Sequence, residues 1–167
     1  KLSNKENAKN VTQNTIYDVA SLTKILSTTP IVMTLVKKNK LDLNFPLKDF
    51  YSPYMSDDKK NVTIRHLLTH TAGLRKYVEY YKIPNMNRET IVEDIVSQKL
   101  EYKPDSKTIY SDLGMILLLD IIETVTGSKL DKLSKKYFYS PLGMHNTMFN
   151  PSADFIDRIA PTEEDSY

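Results

Sequence analysis

The thirteen residues from Leu113 to Val125 constrain the fold of this chain more than any other stretch. They are apolar on nearly every side of a helix, and Gly127 supplies a stop just beyond them. A helix of that kind has to be surrounded, so the spacing predicts a central buried helix with other elements packed around it. The run is too short to span a bilayer, as is every other apolar run in the chain.

Other segments supply the surrounding elements. Leu22, Ile25, Leu26, Val32, Leu35 and Val36 recur at helical spacing, and Pro30 inside that run predicts a kink or two abutting helices. A short helix is expected after Thr63, with Ile64, Leu67 and Leu68 inward and an end near Gly73. Asn87 opens another, with Ile91, Ile95 and Val96 inward, and residues 129–138 form one more amphipathic helix. Residues 15–20 read as an extended lead-in, 41–62 as an irregular surface connection and 75–86 as a Tyr-rich loop. Strand-like alternation is scarce. The fold class expected is mostly α, with residues 1–15 an exposed arm and 16–167 one helical unit.

Composition narrows the function classes. A net charge of +2, with basic residues scattered, gives no footprint for nucleic acid. The absence of Cys excludes disulfides, thiolate metal sites and Cys nucleophiles. The chain opens on Lys1 rather than Met, so a piece of a longer protein is expected.

The chemistry-bearing pattern is Ser21-Leu-Thr-Lys24. One helical turn puts the two side chains on the same face. A serine hydroxyl is a weak nucleophile at neutral pH, and an amine held against it can take its proton. The helix N-terminus beneath the serine also favours a developing oxyanion. The bland alternative is that Ser21 is an N-cap. A second match, Ser56-Asp-Asp-Lys59, sits in a charged loop without an apolar helix behind it and reads as solvated surface. Tyr110-Ser-Asp112 precedes the apolar helix. There Tyr110 is either a general base or an ordinary half-buried aromatic, with Ser111 or Asp112 as the cap.

Five segments in order carry a family resemblance. Tyr17-Asp-Val-Ala-Ser-Leu-Thr-Lys24, Leu41-Asp-Leu43, Thr63-Ile-Arg-His-Leu-Leu-Thr-His-Thr-Ala-Gly-Leu74, Tyr110-Ser-Asp-Leu-Gly-Met115 and Ser140-Pro-Leu-Gly-Met-His-Asn-Thr-Met148 resemble the class C β-lactamase, esterase and D-Ala-D-Ala peptidase group. The group belongs to the β-lactamase and penicillin-binding-protein superfamily. The resemblance implies the helical subdomain and nucleophile helix of an α+β serine hydrolase. Ser21 would be acylated, Lys24 would share in activating it, and Tyr110 would relay the proton. The Ser21 backbone N–H would be half of the oxyanion hole. Asp112 would stand at a substrate-binding position usually held by Asn, where an ionised carboxylate accepts but cannot donate. It would also pair with Lys24 and keep it protonated, which leans toward an ester substrate.

The resemblance further implies a small-molecule or peptide substrate (a β-lactam, a D-Ala peptide or a carboxylic ester), no cofactor and no metal. It implies an extracytoplasmic or envelope location. The family's third motif, a Lys/His-x-Gly on a sheet strand, is not found after Pro161, so this piece alone is expected to be inactive or nearly so, and to self-associate through the face that a sheet would cover. A non-catalytic, penicillin-binding-like helical binding module is the alternative. His66 and His70, spaced i, i+4, raise a metal site in principle, but the metalloprotease pattern requires Glu where Leu67 stands. The resemblance makes that segment structural.

Overall fold

The helix that begins at Ser21 changes its winding twice. In the computed structural model, which describes residues 9–52 and 55–162, a 3-10 turn at Ala20–Leu22 runs into a π-helical turn at Lys24–Thr28 and then into α1, Thr29–Lys37. Pro30 explains the change. It has no N–H to offer an α-helical partner, and it sits in the first turn of α1, where that N–H is not needed. The last donor before it, Thr29 N–H, reaches back five residues to Lys24 O. The kink expected at Pro30 is therefore a change of helix type. Ile31, Val32 and Leu35 are buried, whereas Leu22, Ile25 and Met33 are more than half exposed. Helical spacing alone had grouped Leu22 and Ile25 with the inward residues, and the structure corrects that.

The connection after α1 is less superficial than its charge suggests. Leu41, Leu47 and Val62 are buried, and Leu47 N–H donates to Val62 O at 2.7 Å beside a single antiparallel bridge between Pro46 and Thr63. A short α2, Lys48–Tyr51, lies between them. Lys59 is fully buried, which overturns the solvated reading of Ser56–Lys59. Its Nζ donates to Ser56 Oγ at 2.9 Å. The loop closes over it because Asp58 Oδ2 accepts Leu100 N–H at 2.7 Å and Ser56 Oγ lies 3.0 Å from Gln98 O.

Next, α3 spans Ile64–Leu68, and Thr63 and His66 cap each other's backbone at its start. It stops well before Gly73, the expected end. Gly73 instead has φ +87°, and a Cβ there would stand 2.2 Å from Tyr102 O. Asn87 caps α4, Arg88–Ser97, whose fully inward residues are Val92, Ile95 and Val96, with Ile91 half-buried.

The central helix is α5, Asp112–Thr126. Ser111 caps it and Gly127, at φ +64°, ends it. Leu113, Leu117, Leu118, Ile121 and Ile122 are almost wholly buried. α5 packs on α3, α4 and the π-helical turn, with Gly114 beside the Leu67 backbone. A final α6, Leu130–Ser134, continues through a second π-helical turn to Tyr139, whose hydroxyl bonds the buried Ser27. α4, α5 and α6 are joined by Arg88, paired to Asp120 and Glu123, and by Glu123, which accepts Leu130 N–H at 2.9 Å.

Among the described residues there is no sheet, only isolated bridges. One of these, Ile16 to Ile159, fixes the extended lead-in against the last segment. Of the expected exposed arm, residues 9–14 are exposed and 1–8 lie outside the described residues. The mostly helical class expected from the sequence is the class observed.

Candidate active site

Ser21 follows a strained residue. Ala20 has φ +44°, a left-handed conformation costly for a residue with a Cβ, and Asp18 Oδ1 holds it there by accepting Ala20 N–H at 2.8 Å. The turn leaves Ser21 exposed at the head of its helix. One turn on, Lys24 Nζ donates to Ser21 Oγ at 3.0 Å.

The N-terminal end of α5 supplies the other groups. Lys24 Nζ lies 2.8 Å from Asp112 Oδ1 and 4.9 Å from the centroid of the Tyr110 ring. Asp112 Oδ1 is buried and receives no well-aimed hydrogen bond, so the Lys24–Asp112 contact is held by charge more than by direction. Half of the Asp112 side chain remains exposed, as does half of Tyr110. All four residues singled out from the sequence (Ser21, Lys24, Tyr110 and Asp112) thus meet in one place.

Their electrostatics follow from this packing. Burial works against the charge on Lys24, but Asp112 and then Tyr110 outweigh it and raise the amine above its ordinary value. Lys24 is therefore an ammonium at neutral pH, donating to Ser21. The Tyr110 phenol moves the other way. Its polar contact with Lys24, and next with Ser21, holds it below its ordinary value. Of the two groups, the phenol is the one pulled toward its deprotonated, proton-accepting form.

One residue at the site was read from the sequence only as a partner of His66. His70 stacks on Tyr110 with ring centroids 4.6 Å apart, and its Nδ1 accepts Ser111 N–H at 3.1 Å. It does not share a helical face with His66, because α3 has ended and His70 is left-handed, at φ +57°. His66 turns elsewhere: Nδ1 accepts Thr63 N–H at 2.9 Å, and Nε2 lies 2.9 Å from Asp105. The signal was present in the sequence only as a His two residues past a helix end.

A groove of about 720 Å³ lies behind the lead-in, between Ile16, Leu26, Tyr139, Met148 and Ile159. It includes none of the four site residues, and its walls carry no comparable cluster of proton-transfer groups. Chemistry therefore places the candidate site at Ser21.

A β-lactamase family model matches residues 1–166. The chain belongs to the β-lactamase family. A putative D-alanyl-D-alanine carboxypeptidase of Salmonella agona is 35% identical over 156 residues, covering 84% of this chain and 35% of that protein. The structure is similar to FmtA from Staphylococcus aureus, with TM-score 0.79 and 25% identity over 95% of this chain and 44% of that one. It is also similar to an octameric penicillin-binding protein homologue from Pyrococcus abyssi, with TM-score 0.72 and 27% identity over 87% of this chain and 36% of that one. The chain spans about a third of the length of the curated relatives it matches. Against these β-lactamase-family proteins, the helical architecture described above corresponds to a subdomain.

Proposed function

We propose that this chain is the nucleophile-bearing, helical part of a serine hydrolase that works through an acyl-enzyme on Ser21. The observation that carries the reading is the convergence of Lys24 on Ser21 Oγ at 3.0 Å, on Asp112 at 2.8 Å and on the Tyr110 ring at 4.9 Å. Ser21 Oγ attacks the substrate carbonyl, and its proton passes to the Tyr110 oxygen. The Oγ–acyl bond forms, and the leaving group departs with a proton returned from Tyr110. Water then cleaves the acyl ester by the reverse route. The Lys24 ammonium stabilises Tyr110 in its charged form and steadies Ser21. The Ser21 backbone N–H, at a helix start, offers one donor to the oxyanion.

The substrate is an ester or amide. Asp112 favours a carboxylic ester over a β-lactam or D-Ala peptide, because an ionised carboxylate gives no hydrogen bond to an amide carbonyl. The relatives named as D-alanyl-D-alanine carboxypeptidases support acyl transfer in general. No helix among the described residues is long and apolar enough to cross a membrane. Self-association through the exposed Leu22, Ile25 and Met33 belongs to the same reading.

Intact-mass spectrometry after exposure to a fluorophosphonate probe tests it, on this chain and on the longer protein, with Ser21→Ala alongside. A single adduct on the longer protein that disappears in Ser21→Ala is expected, with little or none on this chain alone. No adduct on the longer protein would replace catalysis with a binding role.

A further inference from the structure

The backbone on either side of Tyr110 is tied to one residue. His70 O accepts Ile109 N–H at 2.9 Å, and His70 Nδ1 accepts Ser111 N–H at 3.1 Å. The imidazole face lies against the phenol, 4.6 Å between centroids and tilted by 39°. His70 reaches both neighbours only because it is left-handed, a conformation uncommon for His and one that places its carbonyl and its ring toward the same strand of chain. Ser111 Oγ also donates to Arg75 O at 2.5 Å and Asp112 N–H to Lys76 O at 2.7 Å, so the 75–76 backbone holds the segment after Tyr110 while His70 bonds it on both sides.

We propose that His70 is the positioning residue for Tyr110, gripping the backbone before and after it while its neutral ring backs the phenol. The proposal rests on Tyr110 acting as the proton relay. Because Nδ1 accepts a backbone N–H, the proton of the neutral imidazole is on Nε2. Protonating the ring puts a hydrogen on Nδ1, which leaves Ser111 N–H without its acceptor and adds a cation beside Lys24. Burial first, and Lys24 second, keep His70 below its ordinary value of 6.5, while Asp112 pulls the other way. Tyr110 is the remaining titratable group facing the ring, and Arg75 in the adjoining loop is turned to Glu101, 3.6 Å away. The grip therefore holds at neutral pH and is released in acid.

The test uses the fluorophosphonate labelling rate of Ser21 in the longer protein, followed from about pH 5 to 9. Asn at position 70 tolerates the left-handed backbone and retains an acceptor, but has no ring and does not titrate. His70→Asn is expected to lower the plateau rate about 10- to 100-fold, the loss typical of a misplaced reacting group. It should also remove the acid step that His70 adds, leaving only the rise that comes with Tyr110 ionisation. Tyr110→Phe with His70→Asn should label no more slowly than Tyr110→Phe alone, since the two residues act through one group. An unchanged rate and acid step in His70→Asn, or losses that simply add, overturns the proposal and leaves the serine-hydrolase reading intact. No labelling of the unsubstituted protein overturns both. Nitrogen-15 imidazole shifts of the unsubstituted chain provide a second check that needs no variant. An unprotonated Nδ1 is expected, and a protonated one sinks the proposal.

Discussion

Lys24 Nζ stands 2.8 Å from Asp112 Oδ1, and this pair keeps the amine beside Ser21 charged. Asp112→Asn removes the anion that contributes most to holding Lys24 up. The rate of Ser21 labelling should rise with pH as the Tyr110 phenol, held below its usual 10, ionises, and should fall again as Lys24 loses its proton above 10.5. In Asp112→Asn the descending limb should move to lower pH. A pH–rate profile of both proteins measures it, and a limb that stays in place would assign it to another group.

Gly73→Ala should destabilise the fold sharply. The new Cβ meets a backbone oxygen, Tyr102 O, at 2.2 Å, and φ +87° is strained for alanine. The loop at 101–102 has to move, and Glu101 N–H loses its 2.8 Å bond to Gly73 O. A loss of about 2–4 kcal/mol is expected from combined strain and a broken hydrogen bond. Urea denaturation gives the value, and a loss within error of zero would mean that the 101–102 loop yields freely.

Lys59 offers a stability signature in pH. Burial lowers its amine below 10.5, against a smaller opposing pull from Asp58. Between the lowered value and 10.5 the unfolded chain binds more protons than the folded one, so this group makes stability rise with pH across that window. Relative to Lys59→Met, which has no charge to bury, the unsubstituted protein should gain melting temperature as pH rises through the window between the lowered value and 10.5. Parallel melting curves at each pH decide this, and a constant difference would show that Lys59 keeps its ordinary proton affinity in the fold.

Much of this was legible from local pattern. The Leu113–Val125 run, its Ser111 cap and Gly127 stop specify a helix without reference to anything else, and the structure contains it. Ser21 and Lys24 are one turn apart by spacing, and their meeting with Tyr110 and Asp112 was read from family order rather than from physics. Two of the misreadings share an origin: they depended on what chain distant in sequence would cover or contact. Lys59 looked solvated because nothing nearby in sequence announces that Gln98 and Leu100 close over it. Leu22 and Ile25 looked buried because spacing gives a helix face but not which way it points. His70 looked like a helical partner of His66 because the count assumed a helix that ends at Leu68.

The π-helical turn between Ser21 and α1 has a consequence for how this sequence can vary. A π turn carries one residue more than the α-helical turn it replaces, so it offsets the azimuth of everything before it by about 100° relative to everything after it. Ser21 and Lys24 precede the offset, while Ile31, Val32 and Leu35 follow it. The nucleophile and the core are thus set in different phases on what is otherwise a single rod. Losing one residue between 24 and 28 would restore regular winding and leave Ser21 facing Tyr110, whereas regular winding at the present length would swing Ser21 away by about 100°. In this segment, winding and chain length are restrained together, because changing either without the other moves Ser21 relative to the core.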